Sequence, residues 1–189
     1  MSQDPNRIAD QVTGAQGPGK GLPPLDQWHP ELSGDIDIRI ARDGVWFYQG
    51  EPLGREAIVR LFSTILRREA DGEYYLVTPV EKWRIQVEDA PLLAHSLEVE
   101  REGERQCLYL TTNTGERLAV GDRHPLVLGQ YPGTGEPRPV VAVRHGLEAR
   151  LVTAAYYDLA SHVVEKSGDN GGVLGVWSNG IFFEIAAGA

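Results

Sequence analysis

The feature that most constrains this fold is a near-repeat. "YLVTPVEKWRIQVEDAPL" runs from Tyr75 to Leu92, and "YLTTNTGERLAVGDRHPL" runs from Tyr109 to Leu126. Each opens on Tyr-Leu-x-Thr, carries a Val followed by x-Asp, and closes on Pro-Leu. Each reads as strand, turn, strand, with turn residues between the apolar runs. A second pair sets "ARDGVWFYQ" over "WSNGIFFEI", so that Val45-Trp46-Phe47 falls on Ile181-Phe182-Phe183. The two pairs together predict an internal duplication. Segments 75–92 and 109–126 are expected to be equivalent, as are hairpins 38–49 and 174–185.

The remaining elements follow from periodicity. In "DIDIRIARDGVWFYQG", Ile36, Ile38 and Ile40 alternate with charged residues, and Asp43-Gly44 is read as a two-residue hairpin turn. That register places Ile40 opposite Phe47 and Arg39 opposite Tyr48. One face then holds Ile38, Ile40, Val45 and Phe47, and the other holds Asp37, Arg39, Trp46 and Tyr48. Ile58, Leu61, Phe62, Ile65 and Leu66 fall on one helical stripe that Asp71-Gly72 ends. A second helix carries Leu151, Ala155, Leu159 and Val163. At Asn179-Gly180 a two-residue turn is expected, with Trp177 facing Phe182. Residues 1–24 contain "TGAQGPGKGLPP", Gly/Pro punctuation without periodicity, and are expected to be a flexible arm. A 25–90 α+β domain and a 91–189 β-rich domain with one helix are expected to follow. The expected class is α+β, two small domains with a duplicated strand/helix core.

Composition excludes several functions. The chain has 189 residues and a formal net charge of −9, without the basic footprint of a nucleic-acid polymer binder. No stretch of roughly 18 apolar residues is present, so no membrane helix is expected. The N-terminus lacks an apolar signal region. A single cysteine, Cys107, rules out an internal disulfide and fits a reducing, cytoplasmic setting. It is read as a buried structural thiol. The five histidines form no His-x-x-x-His pair, so no metal and no cofactor are expected. There is neither a nucleophile elbow nor a phosphate loop.

"GDIDIRIARDGVWFYQGEPLGREAIVRLFSTILRRE", "YYLVTPVEKWRIQVEDAP", "VRHGLEA" and "WSNGIFF" resemble the bacterial family labelled domain of unknown function 1285, over residues 25 to 186. The resemblance implies a two-domain α+β fold with a duplicated core and a C-terminal barrel or roll superficially like a pleckstrin-homology fold. It also implies a ligand site between the domains for a nucleotide-like molecule, and a role in signalling. It assigns no catalytic residue.

From the residues themselves, the sharpest chemistry is arginine beside aromatic rings. Guanidinium groups bind phosphate or carboxylate in two-pronged fashion, and flat rings stack on planar ligands. Arg39, Trp46, Tyr48 and Arg60 are expected to line a cleft closed by the second domain, with Arg144 and Trp177 contributing from the other side. The expected function is non-catalytic, the binding of a small anionic planar ligand by a regulatory protein. Two alternatives stand beside it. One is an enzyme acting on a phosphorylated small molecule through Asp89 or Asp122, the carboxylates that end the two repeats. The other is a protein-interaction module with a protein partner.

Overall fold

A computed structural model describes residues 3–16, 21–169 and 171–185, which divide into two units. The first comprises Met1–Asp89 with His145–Leu147, and the second Ala90–Arg144 with Glu148–Ala189.

In chain order the first unit holds helix α1 (Pro5–Ala15), strands β1 (Leu32–Ile40), β2 (Trp46–Tyr48) and β3 (Glu51–Pro52), helix α2 (Glu56–Thr64), and strands β4 (Leu66–Arg68), β5 (Tyr74–Val77) and β6 (Lys82–Val87). The second holds β7 (Leu92–Glu102), β8 (Arg105–Thr112), β9 (Arg117–Ala119), β10 (Leu126–Gln130), β11 (Pro137–Ala142), β12 (Glu148–Leu151), helix α3 (Thr153–Ala160), and β13 (Val164–Gly168), β14 (Gly171–Ser178) and β15 (Ile181–Glu184).

The first sheet has the order β3-β2-β1-β6-β5-β4, and the second β9-β8-β7-β12-β11-β10. Each strand of the second sheet occupies the place of the strand six earlier. In both, the first strand runs parallel to the sixth, and every other pairing is antiparallel. The chain is therefore an α+β duplication, as the sequence predicts. Helices mark the differences: α2 fills the β3–β4 connection, whereas a loop joins β9 to β10.

The near-repeat itself is not the duplicated unit. Segment 75–92 is β5–β6, whose topological equivalent is β11–β12, while 109–126 runs through β8 and β9. Hairpin 174–185 is β14–β15, part of a third sheet of order β13-β14-β15, and is not the counterpart of β1–β2. The shared Tyr-Leu-x-Thr has a local cause. Leu76 and Leu110 are fully buried, and each following Thr opens a hairpin turn. Thr78 Oγ1 accepts from the N–H groups of Val80 and Glu81, and Thr112 Oγ1 accepts from that of Glu116. The motif encodes a strand that ends in a hydroxyl-capped turn.

A register change overturns the expected faces of the first hairpin. Ala41 N–H donates to Val45 O, and Gly44 N–H to Ala41 O, each at 2.9 Å. The loop is Arg42-Asp43-Gly44, three residues long, with Gly44 left-handed at φ 85°. Ile40 therefore pairs with Trp46, Arg39 with Phe47 and Ile38 with Tyr48. One added loop residue moves every side chain of the second strand to the opposite face. Ala70-Asp71-Gly72 and Asn113-Thr114-Gly115 close hairpins the same way, with Gly72 and Gly115 left-handed. At Asn179-Gly180 both residues have positive φ, the turn has two residues, and Trp177 pairs with Phe182.

Both expected helices are shorter. Ile65 and Leu66 are fully buried, but Leu66 begins β4, because the Asp71 loop closes a β4–β5 hairpin. Leu151 ends β12, and Val163 lies between α3 and β13. Residues 5–15, expected within the flexible arm, form α1. Asp4 caps it by accepting from Asn6 N–H at 2.9 Å, with Pro5 in the first turn. Ile8 and Val12 are fully buried one turn apart. Residues 1, 2 and 17–20 of that arm lie outside the described residues.

The second sheet is barrel-like without closing. Leu128 of β10 bridges Ile185, just beyond β15. The β14–β15 turn is fixed to β8: Asn179 N–H donates to Gln106 O at 2.9 Å, and Leu108 N–H donates to Ser178 Oγ at 2.9 Å. The buried Ser178 hydroxyl in turn donates to Val120 O at 2.7 Å. The third sheet thus spans from one edge of the roll to the strand next to the other edge.

Candidate functional site

The six residues expected at the site fall in both units, four in the first and two in the second. In the first unit, Arg39 lies on the β1 face shared with Phe47, its guanidinium 4.5 Å from the Phe47 ring centroid. Arg39 is paired with Glu88, whose other carboxylate oxygen accepts from Arg42 N–H at 2.9 Å. Trp46 is on the opposite face, 2% exposed, in a tilted contact with Phe62 at 6.3 Å. It is a core residue rather than a ligand platform. Tyr48 shares that face and donates from its hydroxyl to Gln3 O at 3.0 Å. Arg60 is exposed on α2, 3.9 Å from Glu56 one turn earlier. The expected arginine–aromatic face therefore does not form. In the second unit, Arg144 is half-buried and paired with Glu116.

Trp177 stands at the surface of the second unit. It is 38% exposed, and its ring contacts Phe182 at 5.1 Å. Lys166 Nζ lies 5.3 Å from both ring centroids. Gly175 makes this packing possible: a Cβ there would come within 2.6 Å of the Phe182 ring and 2.4 Å of Phe183 O.

Trp177 also lines a groove of about 560 Å³ within the second unit. Val164 lies beside it, Ser161 and His162 come from the end of α3, and Arg101 and Arg105 come from the tip of the β7–β8 hairpin. The tip is a two-residue Gly103-Glu104 turn, with Glu102 paired to Arg105 and Arg101 to Gln106. Its position is fixed by side chains. Arg105 donates to Asn179 Oδ1, and Gln106 Nε2 donates to Trp177 O at 2.8 Å. Arg101 makes no hydrogen bond or ion pair among the described residues. Glu104 adds one carboxylate to the rim. The groove thus presents two guanidinium groups, an imidazole and an indole against a single acid, a set suited to an anion attached to a planar group.

Little in the sequence announces Arg101, Arg105 and His162. "EREGERQ" has the alternating charges of any solvated hairpin tip, and only the pairing of β8 with the β14–β15 turn brings it beside Trp177.

The alternative carboxylates stand apart from this groove. Asp89 follows β6 and Asp122 follows β9, so they are not repeat equivalents, and neither lines the groove. Asp122 Oδ1 accepts from Arg123 N–H at 3.0 Å. Cys107, expected to be buried, is half-buried on β8. Among the described residues no three His, Cys, Asp or Glu side chains gather as a metal site, and no helix is long and apolar enough to cross a membrane.

In the first unit the most buried charge is structural. Burial pushes the Glu81 carboxyl up, but hydrogen bonds from Arg7 and Trp83 and the Arg7 charge outweigh it and hold the group below the usual carboxylate range.

Fold and groove define a duplicated α+β protein in which one six-stranded topology is used twice. The chain belongs to the DUF1285 family: the model "Domain of unknown function (DUF1285), N-terminal domain" matches residues 23–90, and "Protein of unknown function (DUF1285), C-terminal domain" matches 91–185. A crystal structure of a DUF1285 family protein from Silicibacter pomeroyi DSS-3 is similar at 45% identity and a TM-score of 0.81, covering 94% of this chain and 93% of that one. One from Shewanella baltica OS155 is similar at 30% identity and a TM-score of 0.52, covering 67% of this chain and 91% of that one. Among curated proteins nothing matches.

Proposed function

We propose that this chain is a non-catalytic, cytoplasmic regulatory protein that binds a small anionic planar ligand, nucleotide-like in chemistry, and serves in signalling. The single observation that carries the reading is the second-unit groove, where the half-exposed Trp177 stands with Arg101, Arg105 and His162. Arg101 holds the anion and Trp177 stacks on the flat group. The lone cysteine supports the compartment, and the acidic net charge argues that the ligand is small rather than a nucleic-acid polymer.

The test is a panel of nucleotides and small phosphates screened by thermal shift, followed by calorimetry on any that stabilise the chain. Arg101→Ala is expected to weaken binding about ten- to a hundredfold, the loss of one charge-assisted hydrogen bond of about 1.5–3 kcal/mol. The unfolding midpoint of the unliganded protein should barely change, because Arg101 is exposed. Binding with the same affinity in Arg101→Ala, or no binding from the whole panel, would contradict the reading.

A further inference from the structure

We propose that the ligand carries a second planar group, seated in an adjoining groove and joined to the first through the anion at Arg101 and Arg105. This rests on the reading of the Trp177 groove as an anion site. The adjoining groove, of about 400 Å³, also lies within the second unit. Glu100, Glu102, Cys107 and Tyr109 line it. Register puts these four on one face of the β7–β8 hairpin, since Glu100 pairs with Cys107, Glu102 with Arg105 and Glu98 with Tyr109. Arg101 pairs with Gln106 on the opposite face, that of the Trp177 groove. Near the tip, however, the long side chains of Arg101 and Arg105 line both grooves. The grooves adjoin at the β14–β15 turn, where Gly180 lines the first and Asn179 the second. Arg105 is held there by its hydrogen bond to Asn179 Oδ1. An anion shared by the two guanidinium groups therefore stands at the junction, with one groove on each side of it.

The second groove differs from the first in charge. To the shared arginines it adds the carboxylates of Glu100 and Glu102. A second anion is disfavoured beside them, whereas an uncharged group with N–H donors is favoured. Glu100 already accepts from Arg117 at 2.7 Å. The Glu102 side chain makes no hydrogen bond or ion pair among the described residues, so it is the free acceptor. The amino group of a nucleobase is the matching donor, as when a carboxylate reads the amine of cytosine. Tyr109 and the small Ala119 stand opposite each other on β8 and β9 and line the same groove. The Arg117 guanidinium, 3.6 Å from the Tyr109 ring centroid, packs on that ring. A central phosphate with a flat group on either side, the second bearing an amine, describes a dinucleotide.

Calorimetry on the full chain tests this by comparing AMP with the ribodinucleotide ApA, and GMP with GpG. For at least one base, the dinucleotide is expected to bind at least about tenfold tighter than its mononucleotide. Glu102→Ala should bring that ratio close to one, and Arg101→Ala should weaken both members of the pair. The ratio is taken within each variant, so a general change in anion affinity cancels. Glu102 is exposed at the hairpin tip, so the variant should fold as the wild type does. The wild-type comparison needs no variant at all. Mononucleotides that bind as tightly as their dinucleotides would overturn the second seat and leave the Trp177 groove standing. A dinucleotide advantage that survives Glu102→Ala would overturn it as well. Binding by none of the four would overturn the reading of the Trp177 groove and this proposal with it.

Discussion

Tyr75 and Asp71 form a close hydrogen-bonded pair. The Tyr75 hydroxyl donates to Asp71 Oδ2 at 2.5 Å across the base of the β4–β5 hairpin. That hydrogen bond, then burial, pushes the phenol up to about 12 from 10.0. A phenol whose folded value is raised contributes stability that is complete below the unfolded value and lost as pH climbs through the folded one. The unfolding midpoint of the wild type should therefore fall between about pH 10 and 12 more steeply than that of Tyr75→Phe, as circular dichroism would record. Equal slopes would show that the bond contributes nothing. Side chains of this kind are only partly legible in a sequence. Trp46 reads as a surface ring because its neighbours alternate cleanly, and its burial depends on a register that no single residue announces.

Hairpins decide the elements. Asp-Gly and Asn-Gly look alike as turn signals, yet here Asp43-Gly44 and Asp71-Gly72 close three-residue loops and Asn179-Gly180 a two-residue turn. The difference lies in the backbone. Asn179 takes φ 52°, whereas Asp43 and Asp71 use a carboxylate oxygen to accept the N–H two residues on, at 3.1 and 2.9 Å, and leave only the glycine left-handed. Gly44→Ala should cost about 1–2 kcal/mol in denaturant unfolding, the penalty of a Cβ in that conformation. Gly44→Asn should cost less, because asparagine tolerates it better. A neutral alanine variant would contradict the loop assignment. Strand–turn–strand order, the alternation in β1 and the final turn are readable directly. The length of α2 is not, since a buried stripe at Ile65 and Leu66 satisfies a helix and a strand equally, and α1 is hidden behind the Gly/Pro tether that follows it.

At the scale of the whole molecule, duplication is legible although its markers are not the equivalent parts. The two Tyr-Leu-x-Thr stretches share a turn chemistry, while the duplicated object is a strand order, which is a set of long-range pairings. The groove is legible only at this scale as well, since its walls come from residues 101–106, 161–164 and 177–180. Its occupancy can be read from four indole N–H signals, because the chain has four tryptophans. Trp28, Trp46 and Trp83 are buried, and Trp177 alone among them is exposed. In an NMR titration with a ligand identified by thermal shift, the Trp177 indole signal should move with saturation while the other three stay in place. A saturating ligand that leaves Trp177 unmoved would contradict the assignment of this groove as the binding site.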